Sequence, residues 1–331
     1  MLLKGLDCIT PRMKYHTNVK KKLHLCLIDG ILVIMFQNYL AGREDFEAIE
    51  EGIAAVWRKE LNFIFQNKKL LQKVIVISFD AKHLYLWTKV NLQTLETLPS
   101  NLKDYHFYKV KHQITFTDEE QLGWMVGLKV EKMADYLPKN IIVGNYQFPK
   151  ISGSLLSPFI KSHQNRKAKG FRGDAYDTRE SYFATIVHEF GHVYYDQHKL
   201  FWYSSKKENL SYLNTALKLY QGQKPKNILE IRIPSYPNLS ELFAFCTDYT
   251  AASLFWPNHK KDIDKANIEM LKWQIEEEKK RNLDIQDSAL ENWPGGHIMA
   301  MTIGKILLSY FPTNWPQKLL SISPRIKLSQ F

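Results

Sequence analysis

The stretch that decides the fold is Thr178-Arg179-Glu180-Ser181-Tyr182-Phe183-Ala184-Thr185-Ile186-Val187-His188-Glu189-Phe190-Gly191-His192. Apolar residues at 182, 183, 186, 187, 190 and 193 recur every three to four positions, the spacing of one helical face. Asp177-Thr178-Arg179-Glu180 places a capping residue and an acidic first turn at the start, so a helix is expected over 178–197. His188 and His192 are four apart and stand one above the other beside the apolar stripe. Two imidazoles on one helical face are half of a tetrahedral metal site. Glu189 projects about 100° further round the helix. There a carboxylate can reach a metal-bound water without replacing a histidine, which is where a general base belongs. The bland alternative is a buried helix with two incidental histidines, and it leaves Glu189 near the core without a role.

Upstream of this helix the chain alternates strand and helix signals. Helical spacing covers 44–61. Val74-Ile75-Val76-Ile77-Ser78-Phe79 is a β-branched run, and 83–90 reads as a second strand joined to it through Asp80-Ala81-Lys82. A further strand is expected over 109–116. Thr117-Asp118-Glu119-Glu120 has the form of a capping box opening a helix that runs to 136, before Pro138. A short strand is expected over 141–144, and 152–177, rich in Gly, Ser, Lys and Arg, reads as a long loop. Downstream, helices are expected over 204–220, 240–255 and 261–281, and another from His297 to just before Pro312. Mixed elements followed by helices alone give an α+β class.

Composition narrows the chemistry. The 331 residues are 45% hydrophobic and 24% charged, which suits a soluble globular chain and excludes a disordered one. No apolar run reaches the ~18–20 residues that cross a bilayer. Three cysteines, Cys8, Cys26 and Cys246, make neither a disulfide framework nor a cysteine-based zinc site. A metal would therefore be held by histidine and carboxylate, and Cys246 reads as a small core residue. The net charge of +11 favours an anionic surface such as a cell envelope, against the plainer reading of a solvated basic exterior. No nucleic-acid-binding motif is present, so no nucleic-acid partner is expected. Glu276-Glu277-Glu278-Lys279-Lys280-Arg281 reads as a solvated helical face.

Residues 1–41 have the layout of a signal peptide: a basic segment through Lys20-Lys21-Lys22, an apolar run from Leu23 to Phe36, and a small-residue exit at Ala41-Gly42. Export, periplasmic or extracellular, is the expectation. Asp29 inside the run and Tyr39 before the exit argue for the alternative, a buried strand and helix of a cytoplasmic protein. Residues 42–112 then form an N-terminal α/β region, and 113–331 the domain that carries the motif.

His188-Glu189-Phe190-Gly191-His192 resembles the H-E-x-x-H motif of the zincin metallopeptidases. Two residues compete for the third ligand. His198 has the metzincin spacing, but Tyr195 stands where metzincins carry a helix-breaking glycine; in a helix that continues, His198 faces away. Glu241 opens Glu241-Leu242-Phe243-Ala244, and the order of motif helix, helical spacer, tyrosine and glutamate followed by Phe-Ala resembles the gluzincin branch, lethal-factor-type bacterial metalloproteases in particular. The resemblance covers residues 177–256. It implies a zincin-like peptidase with a small mixed sheet, an active-site helix and a mainly helical C-terminal lobe. It also implies zinc held by His188, His192 and Glu241, with Glu189 as catalytic base and Tyr236 as the oxyanion donor. Tyr236 precedes Glu241 by fewer residues than the family pattern, and Phe245 stands where many gluzincins carry an acidic residue. Asp248, seven after Glu241, is placed to hydrogen-bond a ligand histidine, or else is a surface carboxylate. The implied activity is zinc-dependent endopeptidase hydrolysis of a protein or peptide by a monomer, the peptide pairing with an edge strand expected at 140–148. The alternative function is a catalytically inactive zincin-like envelope-binding or effector protein. His297, after Pro294-Gly295-Gly296, is either a polar group at the site or a helix-entry histidine.

Overall fold

The β-branched run becomes β1 (Ile75–Phe79), buried along its whole length, and folds back on β2 (His83–Thr88) as an antiparallel hairpin. The turn is fixed by Asp80, whose Oδ1 accepts the backbone N–H of Lys82 and of His83, each at 2.7 Å. Its Oδ2 accepts the Tyr85 hydroxyl at 2.7 Å and the Ala41 N–H at 3.1 Å. An aspartate satisfying two amides of its own turn is a local device that competes well with continued strand.

The sheet grows from this hairpin through β3 (Glu96–Leu98), β4 (His106–Lys111), β5 (Met125–Leu128) and β8 (Gly153–Leu156), in the order β3-β4-β2-β1-β8-β5. Four strands are antiparallel, β8 joins β1 in parallel, and β5 pairs antiparallel with β8. Two further strands, β6 (Ile142–Val143) and β7 (Tyr146–Gln147), pair with each other in a separate hairpin. The computed structural model describes residues 39–92, 95–114, 125–128, 142–143, 146–147, 153–156, 159, 178–196, 209–223, 239–280 and 295–321. Those residues all lie in one unit, 39–331. The leader expected at 1–41, and the tyrosine and histidine at 236 and 198, fall wholly or almost wholly outside them.

Seven helices are described: α1 (Arg43–Val56), α2 (Arg179–Asp196), α3 (Asn209–Tyr220), α4 (Leu239–Phe255), α5 (Pro257–Lys280), α6 (Gly295–Tyr310) and α7 (Trp315–Leu320). The architecture is α+β, a small mixed sheet followed by helices. α1 lies on the sheet. The Phe46 ring sits 4.7 Å from Tyr85, 5.1 Å from Phe107 and 6.0 Å from Trp87. Trp87 and Phe107 are opposed across β2 and β4 and stack at 4.3 Å, the cross-strand pairing that stabilises sheets. The other face of α1 meets α2 so closely that a Cβ at Gly52 would stand 2.5 Å from Ile186. α2 packs on α4, α4 on α6, and α3 on α5 and α6, while Trp315 of α7 sets its ring edge-on to Phe243 of α4 at 5.1 Å. One continuous apolar core joins the α1 and sheet residues to these helices. No described helix is long and apolar enough to cross a membrane.

Several expectations are corrected. α1 stops at Val56 rather than 61, because the amides of Trp57 and Arg58 bond back three residues, to Ala54 and Ala55, and Trp57 turns its indole N–H to the Tyr105 hydroxyl at 2.8 Å. β4 begins at His106 rather than 109, two residues after Asp104, whose φ of 62° makes the turn. Met125–Leu128 is a strand, not part of a helix over 117–136; ladder bonds to Gly153–Leu156 outweigh the local helical pattern there. Gly153–Leu156 in turn falls within the segment read as loop. In the six-stranded sheet β5 is the outermost strand next to β8, while β6 and β7, within the 140–148 expected as the edge, pair with each other in a separate hairpin. α5 starts at Pro257, before the expected 261, since a proline in the first helical position gives up an amide that has no partner there.

Candidate metal centre

α2 starts as its sequence directs. Thr178 caps it: the Ser181 N–H donates to Thr178 Oγ1 at 3.1 Å, and Ser181 Oγ donates to the Thr178 carbonyl at 2.8 Å. Tyr182, Phe183, Ile186, Val187, Phe190 and Tyr194 are buried. The helix runs through a buried Tyr195 to Asp196, so the chain does not break at the position where metzincins have glycine.

α4 crosses α2 at Gly191. A Cβ at that position would lie 2.9 Å from the Ala244 Cα and 3.2 Å from the Thr247 hydroxyl, so only glycine permits this backbone approach. The close crossing brings the first turn of α4 against the histidines. His188 Nε2 is 3.4 Å from Glu241 Oε1, His192 Nε2 is 3.2 Å from Glu241 Oε2, and the two Nε2 atoms are 3.1 Å apart. His188, His192 and Glu241 thus form a group able to hold a metal ion, one ligand atom from each lying within 4.8 Å of the others. Glu241 is 6% exposed.

The far side of each imidazole is also engaged. His188 Nδ1 lies 2.8 Å from Asp248 Oδ2, and His192 Nδ1 lies 2.8 Å from Ser240 Oγ. A carboxylate at Nδ1 makes that nitrogen the donor and leaves the Nε2 lone pair facing the cluster. Two Nε2 lone pairs and a carboxylate turned on one point repel unless a proton or a cation lies between them. Burial opposes charge on His188, but the hydrogen bonds and negative charge of Asp248 and Glu241 outweigh it and hold its pKa well above the usual imidazole value. Burial likewise opposes ionisation of Glu241, and the two imidazoles outweigh it, holding the carboxyl far below the usual range. For Asp248 burial dominates, raising its pKa against the pull of His188.

Glu189 is half-buried beside His188, and its side chain makes no hydrogen bond or ion pair to another described residue. Tyr236 and His198 lie outside the described residues. Asp248, left between two roles by the sequence, is on His188; Phe245 turns instead to α6, where it fills the space over Gly304 and stacks on Tyr249 at 5.7 Å. Cys246 is fully buried in α4. His297 lies in the first turn of α6. Glu276 and Lys279 are exposed and paired at 2.8 Å, as a solvated face would be. Ser240 is not marked by the sequence; its one signal is its place next to Glu241, which any helix-start glutamate shares with a neighbour.

No family model matches the chain, and no curated protein and no solved structure is significantly similar to it.

Proposed function

We propose that the chain is a zinc-dependent endopeptidase of the zincin type, gluzincin branch. The observation that carries this reading is the convergence of His188 Nε2, His192 Nε2 and the Glu241 carboxylate from two helices. Tetrahedral zinc with ligand bonds of about 2.0–2.1 Å puts its ligand atoms about 3.3 Å apart. The separations of 3.1, 3.2 and 3.4 Å fit that spacing. Two neutral imidazoles and one carboxylate suit zinc better than calcium or magnesium, which favour all-oxygen sites. Three protein ligands leave a coordination position open, the pattern of catalytic rather than structural zinc.

Bound zinc would polarise the scissile carbonyl and lower the pKa of a water toward ~7. Glu189, next along the helix from His188 and without a protein partner among the described residues, takes the proton of the attacking water and passes it to the leaving amine. Asp248 holds the His188 ring in the tautomer that ligation requires. Tyr236 is assigned as the oxyanion donor on the family resemblance alone. A peptide substrate would pair its main chain with the sheet edge at β5. The leader at 1–41 would direct the enzyme out of the cytoplasm.

The test combines metal analysis with peptide-library cleavage. Near-stoichiometric zinc is expected, with cleavage lost in Glu189→Gln while zinc is retained. Full cleavage by that variant, or no metal in the parent protein, overturns the proposal.

A further inference from the structure

Two consecutive residues of α4 bracket both nitrogens of one imidazole. Ser240 Oγ is 2.8 Å from His192 Nδ1, and Glu241 Oε2 is 3.2 Å from His192 Nε2. His188 is held differently, with its Nδ1 on Asp248, two turns further along the same helix. A histidine ring turns about two side-chain torsions, the second of them broad, so a contact at the nitrogen remote from the metal is what fixes its plane. Ser240 lies inside α4, one residue past its first, rather than at the flanking position where a serine caps a helix. Its hydroxyl is therefore explained by the imidazole it meets and not by helix capping.

We infer that Ser240 is the positioning residue for His192: its hydroxyl oxygen accepts a hydrogen bond from Nδ1–H and keeps the Nε2 lone pair aimed at the point shared with His188 and Glu241. The inference rests on the metal site proposed above. It makes the support of the two histidines unequal, a carboxylate behind one and a neutral hydroxyl behind the other. Charge accounts for the difference. Glu241 and Asp248 already bring two negative charges into contact with the rings, which balances a divalent ion. A hydroxyl orients the second ring without adding a third charge to a buried site.

The experiment measures zinc affinity of the full chain by chelator competition, the ligand-field spectrum of the cobalt(II) form, and the imidazole N–H resonances of the zinc form. In the parent protein a slowly exchanging Nδ1–H signal from His192 is expected. Ser240→Ala is expected to weaken zinc about 10- to 100-fold, to shift the cobalt spectrum and to abolish that signal. Ser240→Thr, which keeps the hydroxyl, restores most of the affinity. A folded Ser240→Ala protein with parental affinity and spectrum overturns the inference and leaves the metal site standing. So does a parental zinc form in which His192 carries its proton nowhere on Nδ1, a result that needs no variant to fold. A parent protein that binds no zinc removes the site and the inference together.

Discussion

Asp80 and Glu241 are both buried carboxylates on the first residues of a turn or helix, and they are satisfied in opposite ways. Asp80 receives two turn amides, a third amide from Ala41 and a tyrosine hydroxyl. These four are permanent donors, fixed by the chain, and they satisfy the carboxylate without the His83 ring that stands 3.4 Å from Oδ1. Glu241 faces two imidazole nitrogens whose far sides are already engaged. An imidazole nitrogen gives a proton only in one of its states, so this carboxylate is held by partners whose donor character is conditional. The first arrangement is a joint of the fold. The second is a group able to hold a metal ion, because two imidazole nitrogens and a carboxylate meet at one place.

The sharpest way to break this comparison is to truncate each carboxylate. Glu241→Ala is expected to weaken divalent-metal binding on the order of 100-fold or more while the metal-free fold persists. Asp80→Ala is expected to leave metal affinity per folded molecule unchanged and to cost ~3 kcal/mol of stability, since several buried donors lose their acceptor. Chelator competition and urea denaturation on both variants separate the two, and a metal defect in Asp80→Ala would erase the distinction. A saturating metal should then raise the unfolding free energy of the parent by about 4 kcal/mol at a thousandfold excess over its dissociation constant, and that of Glu241→Ala by no more than about 1.4 kcal/mol at the same metal concentration; thermal scans with and without zinc read this directly.

Gly191 and Gly304 sharpen the comparison at the level of packing. A Cβ at Gly191 meets the α4 backbone at 2.9 Å, whereas at Gly304 it meets the Phe245 ring at 2.3 Å. Each alanine variant is expected to lose about 1–3 kcal/mol. Only Gly191→Ala should also weaken metal binding, because backbone cannot swing aside and the ligand helices must part. Equal metal affinity in both variants would show that α2 and α4 tolerate separation.

The smallest effect is the pH slope. His188 has its folded pKa raised above 6.5, so in the metal-free protein its contribution is full below 6.5 and is lost as pH rises through the folded value. Glu241 has its folded pKa lowered below 4.5, so its contribution is present above 4.5 and is lost as pH falls through the folded value. The metal-free protein should thus be favoured by these groups between about pH 4.5 and 6.5. The metal-loaded protein should gain stability as pH rises past 6.5, since ligation needs deprotonated rings. Denaturation at several pH values, with and without zinc, should give slopes of opposite sign there.

The parts of this molecule that sequence made legible are those governed by neighbours along the chain. The Thr178 cap, the apolar stripe of α2, the Asp80 turn and the β1–β2 hairpin all depend on residues within a few positions of one another. β5 and β8 are not legible because their order comes from pairing at a distance: Gly153–Leu156 has neither alternation nor β-branched residues, and gains its place from β1, far earlier in the chain. At the site, His188 and His192 could be paired by helical spacing alone. Glu241 was reachable through a resemblance, Asp248 remained between two roles, and Ser240 was invisible, since a hydroxyl acquires meaning only once two helices have met.

The parallel pairing of β8 with β1 bears on how the chain matures. Ser78 must wait for Leu156 before the sheet can close, and closing so long a loop is entropically slow. During translation the β1–β2 hairpin and α1 can assemble early, but the His188, His192 and Glu241 group is complete only once the first turn of α4 has left the ribosome. On the proposed reading, hydrolysis would wait until α4 has met α2, long after the β1–β2 hairpin has formed.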